Sequence, residues 1–153
     1  MNARKARWLE NELGEYCNFE GEPRFSQLGI NLNVLPPGKP MAMYHRETDQ
    51  ENFLVLSGEC LLIAEDEERP LRAWDFVHCP AGTNHVIVGA GDRPAVVLAV
   101  GARSADGGIV YPASLVAQRL GAGVDHETSD PAEAYAQYSR PEPTSYRDGR
   151  LPA

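Results

Sequence analysis

A succession of short apolar runs, each closed within a few residues by glycine, proline or charged turn formers, constrains this chain most strongly. The first is FSQLGINLNVLPPG, where Leu28, Ile30, Leu32 and Val34 alternate with Gln27, Asn31 and Asn33 before the Pro36-Pro37-Gly38 breaker. Period-two alternation reads as a half-buried strand. Asn31 and Asn33 then either line a polar pocket or face solvent, the commoner state for strand polar residues. Further runs follow over Met41 to Tyr44, Asn52 to Leu56, Glu59 to Ala64, Leu71 to Ala73, Trp74 to Cys79, His85 to Val88 and Ala95 to Val100. The acidic stretch Glu65 to Glu68 between two of them suits a solvated hairpin tip. Strands this short and regular predict an all-β sandwich or small barrel, and such barrels can hold a ligand inside.

The 153 residues suffice for one domain with its own core. Residues 1–24 mix Arg4, Lys5, Arg7 and Trp8 with Glu10, Glu12 and Glu15, and read as a frayed helix or a covering N-terminal arm. The barrel core is expected over 25–101. Residues 102–153 change character: SLVAQRLG predicts a short helix stopped by Gly121, and Ser129-Asp130-Pro131 a second helix start. The proline-rich end is expected as an extended tail over the barrel or a neighbour.

Charge narrows the partners. A net charge of −8 repels nucleic acid and anionic lipid, so small molecules or proteins are the expected partners. No apolar run approaches the ~20 residues of a membrane span, and the N-terminus lacks the apolar centre of a signal peptide. The expected location is cytoplasmic. Three cysteines, Cys17, Cys60 and Cys79, without CxxC spacing, indicate reduced thiols in the core.

The chemistry concentrates between Pro37 and Gly58, in PGKPMAMYHRETDQENFLVLSG. On a strand His45 and Glu47 share a face, and Glu51 rejoins it if the chain stays extended. A second stretch, WDFVHCPAGTNHVIVGAG, turns at Pro80-Ala81-Gly82 and brings His85 as a fourth potential ligand. His78 reads as structural and His126 as solvated. Met41, Met43, Phe53, Trp74 and Phe76 either wall a cavity or belong to the core. No P-loop, GxSxG or GxGxxG pattern is present.

Together the two stretches resemble the paired motifs of the cupin superfamily, G-x5-H-x-H-x3,4-E-x6-G and G-x5-P-x-G-x2-H-x3-N. Gly38, His45, Glu51 and Gly58 match the first with one extra residue before His45, and Glu47 stands at its second histidine. Pro80, Gly82 and His85 match the second, with Trp74 at its opening glycine and Gly89 at its closing asparagine. The resemblance implies a double-stranded β-helix, a jelly-roll barrel with one divalent metal at its mouth. It makes His45, Glu51 and His85 ligands, with Glu47 a fourth ligand or a catalytic base. Such a set suits Fe, Mn, Ni or Zn, and its carboxylates favour Fe or Mn. The family also implies a homodimer. The leading expected function is a metal-dependent, oxygenase-like enzyme on a small organic molecule. A metal-dependent isomerase or decarboxylase, and a binding or sensing module without catalysis, are the alternatives.

Overall fold

A computed structural model describes residues 1–152. Its strands run in chain order as β1 (Arg7–Asn11), β2 (Gly14–Asn18), β3 (Leu28–Leu35), β4 (Arg46–Glu47), β5 (Glu51–Ser57), β6 (Glu59–Ala64), β7 (Glu67–Arg72), β8 (Phe76–Cys79), β9 (His85–Ala90), β10 (Ala95–Ala102), β11 (Ile109–Val110) and β12 (Glu142–Thr144). Helices α1 (Leu115–Arg119) and α2 (Pro131–Ala134) lie between the last two strands. Seven strands form one sheet in the order β12-β1-β2-β3-β10-β5-β8, three form a second as β7-β6-β9, and β4 pairs with β11. All pairings between strands are antiparallel.

The two sheets enclose a core of Leu35, Phe53, Val55, Cys60, Leu62, Cys79, Ile87, Val97 and Ala99. Strand register decides which side chains enter it: Asn33 lies opposite Val97 and Val97 opposite Val55, so all three face inward. The same register turns Leu32 and Val34 outward, where they pack with Trp8, Cys17, Tyr146 and Leu151 in a second layer. The expected polarity of β3 is therefore inverted. Its apolar face lies under the termini and its asparagine face looks into the barrel.

That outer layer explains the first 24 residues. Trp8 sits opposite Cys17 across the β1-β2 hairpin, and both are buried. The segment extends the sheet and forms no long helix, because its apolar side chains meet by cross-strand pairing. The C-terminal tail completes the layer: β12 pairs with β1, the Tyr146 ring lies 5.8 Å from Trp8, and Arg147 and Arg150 both pair with Glu15.

The hairpin tip falls at Glu65-Asp66, both with positive φ (50° and 63°), as a tight turn between right-twisted strands requires. Ser114 caps α1 by accepting the Ala117 N–H, and Asp130 caps α2 with Pro131 in its first turn. Helix α1 covers the outer face of the three-stranded sheet through Ala117. Among the described residues no helix is long and apolar enough to cross a membrane.

Candidate metal centre

The segment from Met41 to Tyr44 pairs by single bridges and forms no continuous strand. Pro40 bridges Val88, and His45 bridges His85 with both backbone hydrogen bonds, His45 N to His85 O at 3.1 Å and the reverse at 2.8 Å. Directly opposed residues place their side chains together, so the ring centroids lie 4.8 Å apart. After β4 the chain bends at Thr48 and Asp49 before Glu51 opens β5. Glu51 thus reaches the site by this bend, not by continued extension of one strand.

His45, Glu51 and His85 offer ligand atoms all within 4.8 Å of one another. Glu51 Oε2 stands 3.2 Å from His45 Nε2 and 3.0 Å from His85 Nε2. Each imidazole is oriented from behind: His45 Nδ1 donates to the Met43 carbonyl at 2.6 Å and His85 Nδ1 to that of Thr83 at 2.9 Å. Protonation at Nδ1 leaves an Nε2 lone pair on each neutral ring, and both lone pairs face a carboxylate that can only accept. The buried His85 Nε2 has no aligned hydrogen-bond partner. Three electron-pair donors directed at one point fit a divalent cation, and the N2O set suits Fe, Mn, Ni or Zn rather than a thiolate-seeking metal.

The site's electrostatics have the same cause. Burial raises the Glu51 carboxyl, but the two imidazoles outweigh it and hold it at about 2. Burial works against a charged His85, yet Cys79 and Glu51 beside it push its pKa up to about 10. The cluster attracts positive charge, carried by a proton when no metal is bound.

Glu47 lies just outside this triad, with Oε1 3.8 Å from His45 Nε2 and its side chain 31% exposed. Burial and the Glu51 charge raise its pKa. Tyr111 and Tyr135 were not legible as neighbours of the site. The Tyr111 ring lies 6.1 Å from His45, Tyr135 packs edge-on against it at 5.9 Å, and the Tyr135 hydroxyl accepts the Met43 N–H. No spacing rule links Tyr135, far downstream in α2's last turn, to a histidine of the barrel.

The other singled-out residues lie apart. His78 is exposed on the outer sheet face, bonded to Asn52, and His126 pairs with Glu133 at the surface. All three cysteines are buried and free, with the Cys60 thiol pushed up to about 12 by burial. Trp74 and Phe76 wall no interior cavity: they are 74% and 65% exposed. A cavity of about 660 Å³ opens between β2, β3 and the segment around α2, lined in part by Tyr16, Asn31, Asn33, Met41 and Tyr135; it meets the site's surroundings at Tyr135, and its lining does not include the triad.

Comparison with known proteins agrees with this architecture. Residues 31–101 match the family model described as Cupin domain. A candidate sugar phosphate isomerase from Acidithiobacillus ferrooxidans is 28% identical, with a TM-score of 0.56 over 63% of this chain and 65% of that one. The chain thus spans slightly less than two thirds of that relative. A sugar phosphate isomerase from Silicibacter pomeroyi superposes with a TM-score of 0.58 at 24% identity, covering 91% of this chain and 80% of that one. A polyketide cyclase from Streptomyces resistomycificus reaches 0.57 at 13% identity, over 67% and 77% of the two chains. These last two show shared fold alone. No curated protein matches the sequence.

Proposed function

Because the chain belongs to the cupin superfamily, whose barrel hosts many activities, the assignment has to come from the site, and we propose a metal-dependent enzyme that moves a proton on a small oxygenated molecule. One observation carries this reading: two oriented imidazoles and Glu51 converge, with a second, half-exposed carboxylate 3.8 Å from one of them. His45, Glu51 and His85 would hold the ion, which supplies Lewis-acid polarisation of a substrate oxygen.

The chain's own groups do the rest. Glu47 takes a proton from the carbon alpha to the polarised carbonyl and returns it to the former carbonyl carbon, while the proton of the alpha hydroxyl passes to the carbonyl oxygen. Such a transfer is an isomerisation, and no net oxidant is needed. The Met43 and Thr83 carbonyls keep both rings from rotating; Tyr111 packs near His45, and Tyr135 stands between it and the cavity. The 28% identical relative described as a candidate sugar phosphate isomerase supports this class of reaction.

A second reading rests on the ligand set itself. Two histidines and one carboxylate make the facial arrangement of non-haem iron oxygenases, which would couple substrate oxidation to dioxygen. Iron or manganese is the metal favoured by either reading.

The test starts from protein purified without a nickel column. Elemental mass spectrometry is expected to find near-stoichiometric iron or manganese, lost in His45→Ala and His85→Ala and kept in Glu47→Gln. A panel of hydroxy-carbonyl compounds is then followed by NMR in deuterated water. Glu47→Gln should slow carbon-bound hydrogen exchange by roughly 100-fold or more. Dioxygen uptake with substrate loss would favour the oxygenase reading, and a wild type that takes up no metal would overturn both.

A further inference from the structure

The cavity between β2, β3 and the α2 segment carries two polar side chains that the proposed chemistry leaves unused. Asn31 and Asn33 face the barrel interior from β3, one and two inward positions along from Gly29, which shares a cross-sheet row with Gly101 and Glu51. Asn33 is only 8% exposed. Among the described residues, their one side-chain hydrogen bond is to each other, Asn33 Nδ2 donating to Asn31 Oδ1 at 2.7 Å.

The unspent capacity of both amides opens onto the cavity, where a ligand or water can use it. After the mutual bond, the pair still offers the Asn31 amide N–H groups as donors and the Asn33 carbonyl oxygen as acceptor. A donor and an acceptor side by side match two adjacent hydroxyls, one accepting and one donating.

Glu15 lines the cavity by position; its Oε1 pairs with Arg147 and Arg150, its buried Oε2 keeps no partner, and Arg140 is exposed. Neutral hydroxyls fit this lining better than an anion does.

The row geometry places the ligand's other end. Glu51 is two strands from β3, roughly 10 Å across the sheet, and the rows are roughly 7 Å apart along it. The barrel wall curves, so inward side chains converge: a Cβ at Gly101 would touch Glu51, 3.7 Å from its Oε1, and one at Gly29 would meet the Arg103 guanidinium at 2.8 Å. A polyhydroxylated chain seated on the asparagines has its other end toward Glu51 along this wall.

We propose that Asn31 and Asn33 form a diol-reading pair and that the ligand is a small polyhydroxylated molecule bound through two neighbouring hydroxyls. The placement of its reactive end rests on the metal-enzyme reading above, whereas the recognition by the pair does not.

The experiment compares ribitol with 1,5-pentanediol, a five-carbon chain without adjacent hydroxyls, by ligand-observed saturation-transfer NMR on the full chain. Ribitol should bind and pentanediol should not. Asn33→Leu and Asn31→Leu, close in volume to the native residues, should each weaken ribitol binding about tenfold. Asn52→Ala, on the outer sheet face, should leave it unchanged. Equal binding of the two probes, or ribitol binding that neither leucine variant weakens, overturns the inference. If Asn33→Leu does not fold, the less buried Asn31→Leu decides. Metal content measured on the same samples separates the two proposals: ribitol binding without metal sinks the enzyme reading alone, and metal without preference for ribitol sinks this one alone.

Discussion

The two histidines show how much a single residue's surroundings set its chemistry. Each ring is fixed by a carbonyl two residues earlier in the chain, so its Nε2 is committed to the interior. In the metal-free protein His85 holds its proton well above the ordinary histidine value, to about 10. Its contribution to stability is therefore fully present below the unfolded value of about 6.5 and is lost as pH rises toward 10. Chelated protein should melt at progressively lower temperature across that window, and saturating metal should flatten the slope, as scanning calorimetry at several pH values would show. Ligation competes with the same proton, so metal affinity should rise with pH over the range. The site was largely readable at this scale. His45, Glu51 and His85 stood in motif register, and Glu47's place next to His45 followed from strand alternation, whereas Tyr111 and Tyr135 carried no local signal.

Among the elements, the turns before β8 and after β5 account for where the sequence keeps or leaves the motif pattern. Gly58 has φ +78°, and a Cβ there would lie 2.7 Å from the Ala95 Cα. Trp74 has φ +76° at the position where the second motif has glycine. A non-glycine residue in that region costs about 1–2 kcal/mol, partly offset by the looser unfolded chain that glycine brings. Trp74→Gly is therefore expected to stabilise the protein by about 0.5–1 kcal/mol, read as a rise of a few degrees in Tm. Gly89 departs from the motif for a steric reason: a Cβ would come 2.3 Å from the Pro36 carbonyl oxygen. Gly89→Asn, which restores the motif residue, should destabilise by about 1–3 kcal/mol in urea unfolding. Strand positions of β5, β6 and β8 to β10 were legible because alternation and turn residues agree locally, whereas β7 begins at Glu67, inside the acidic stretch read as the hairpin tip, and ends at Arg72. The β1-β2 hairpin was not, since its pairing of Trp8 with Cys17 depends on a surface that other strands create.

At the scale of the whole molecule the barrel has two layers on one side, and the second is built from both ends of the chain. Glu15, buried on β2, binds Arg147 and Arg150 of the tail, and Tyr146 and Leu151 cover the face that carries Trp8 and Val34. Removing residues 142–153 should uncover that face and cost about 2 kcal/mol or more, with binding of a hydrophobic dye as a second readout. The metal triad should survive in any truncated protein that folds, because its ligands come from the strands of the barrel and its bridge.

By itself the sequence determined that the chain is β-rich, where most strands of the barrel lie, and which two histidines and carboxylate meet in the candidate metal site. Each of these follows from short-range alternation, turn residues and motif spacing. Tertiary structure alone decided that the asparagine face of β3 looks inward, that Glu51 enters the site around a bend, and that Tyr135 borders the cavity. Inside and outside are relations between strands: the same alternation fits either face until register and a covering layer choose one.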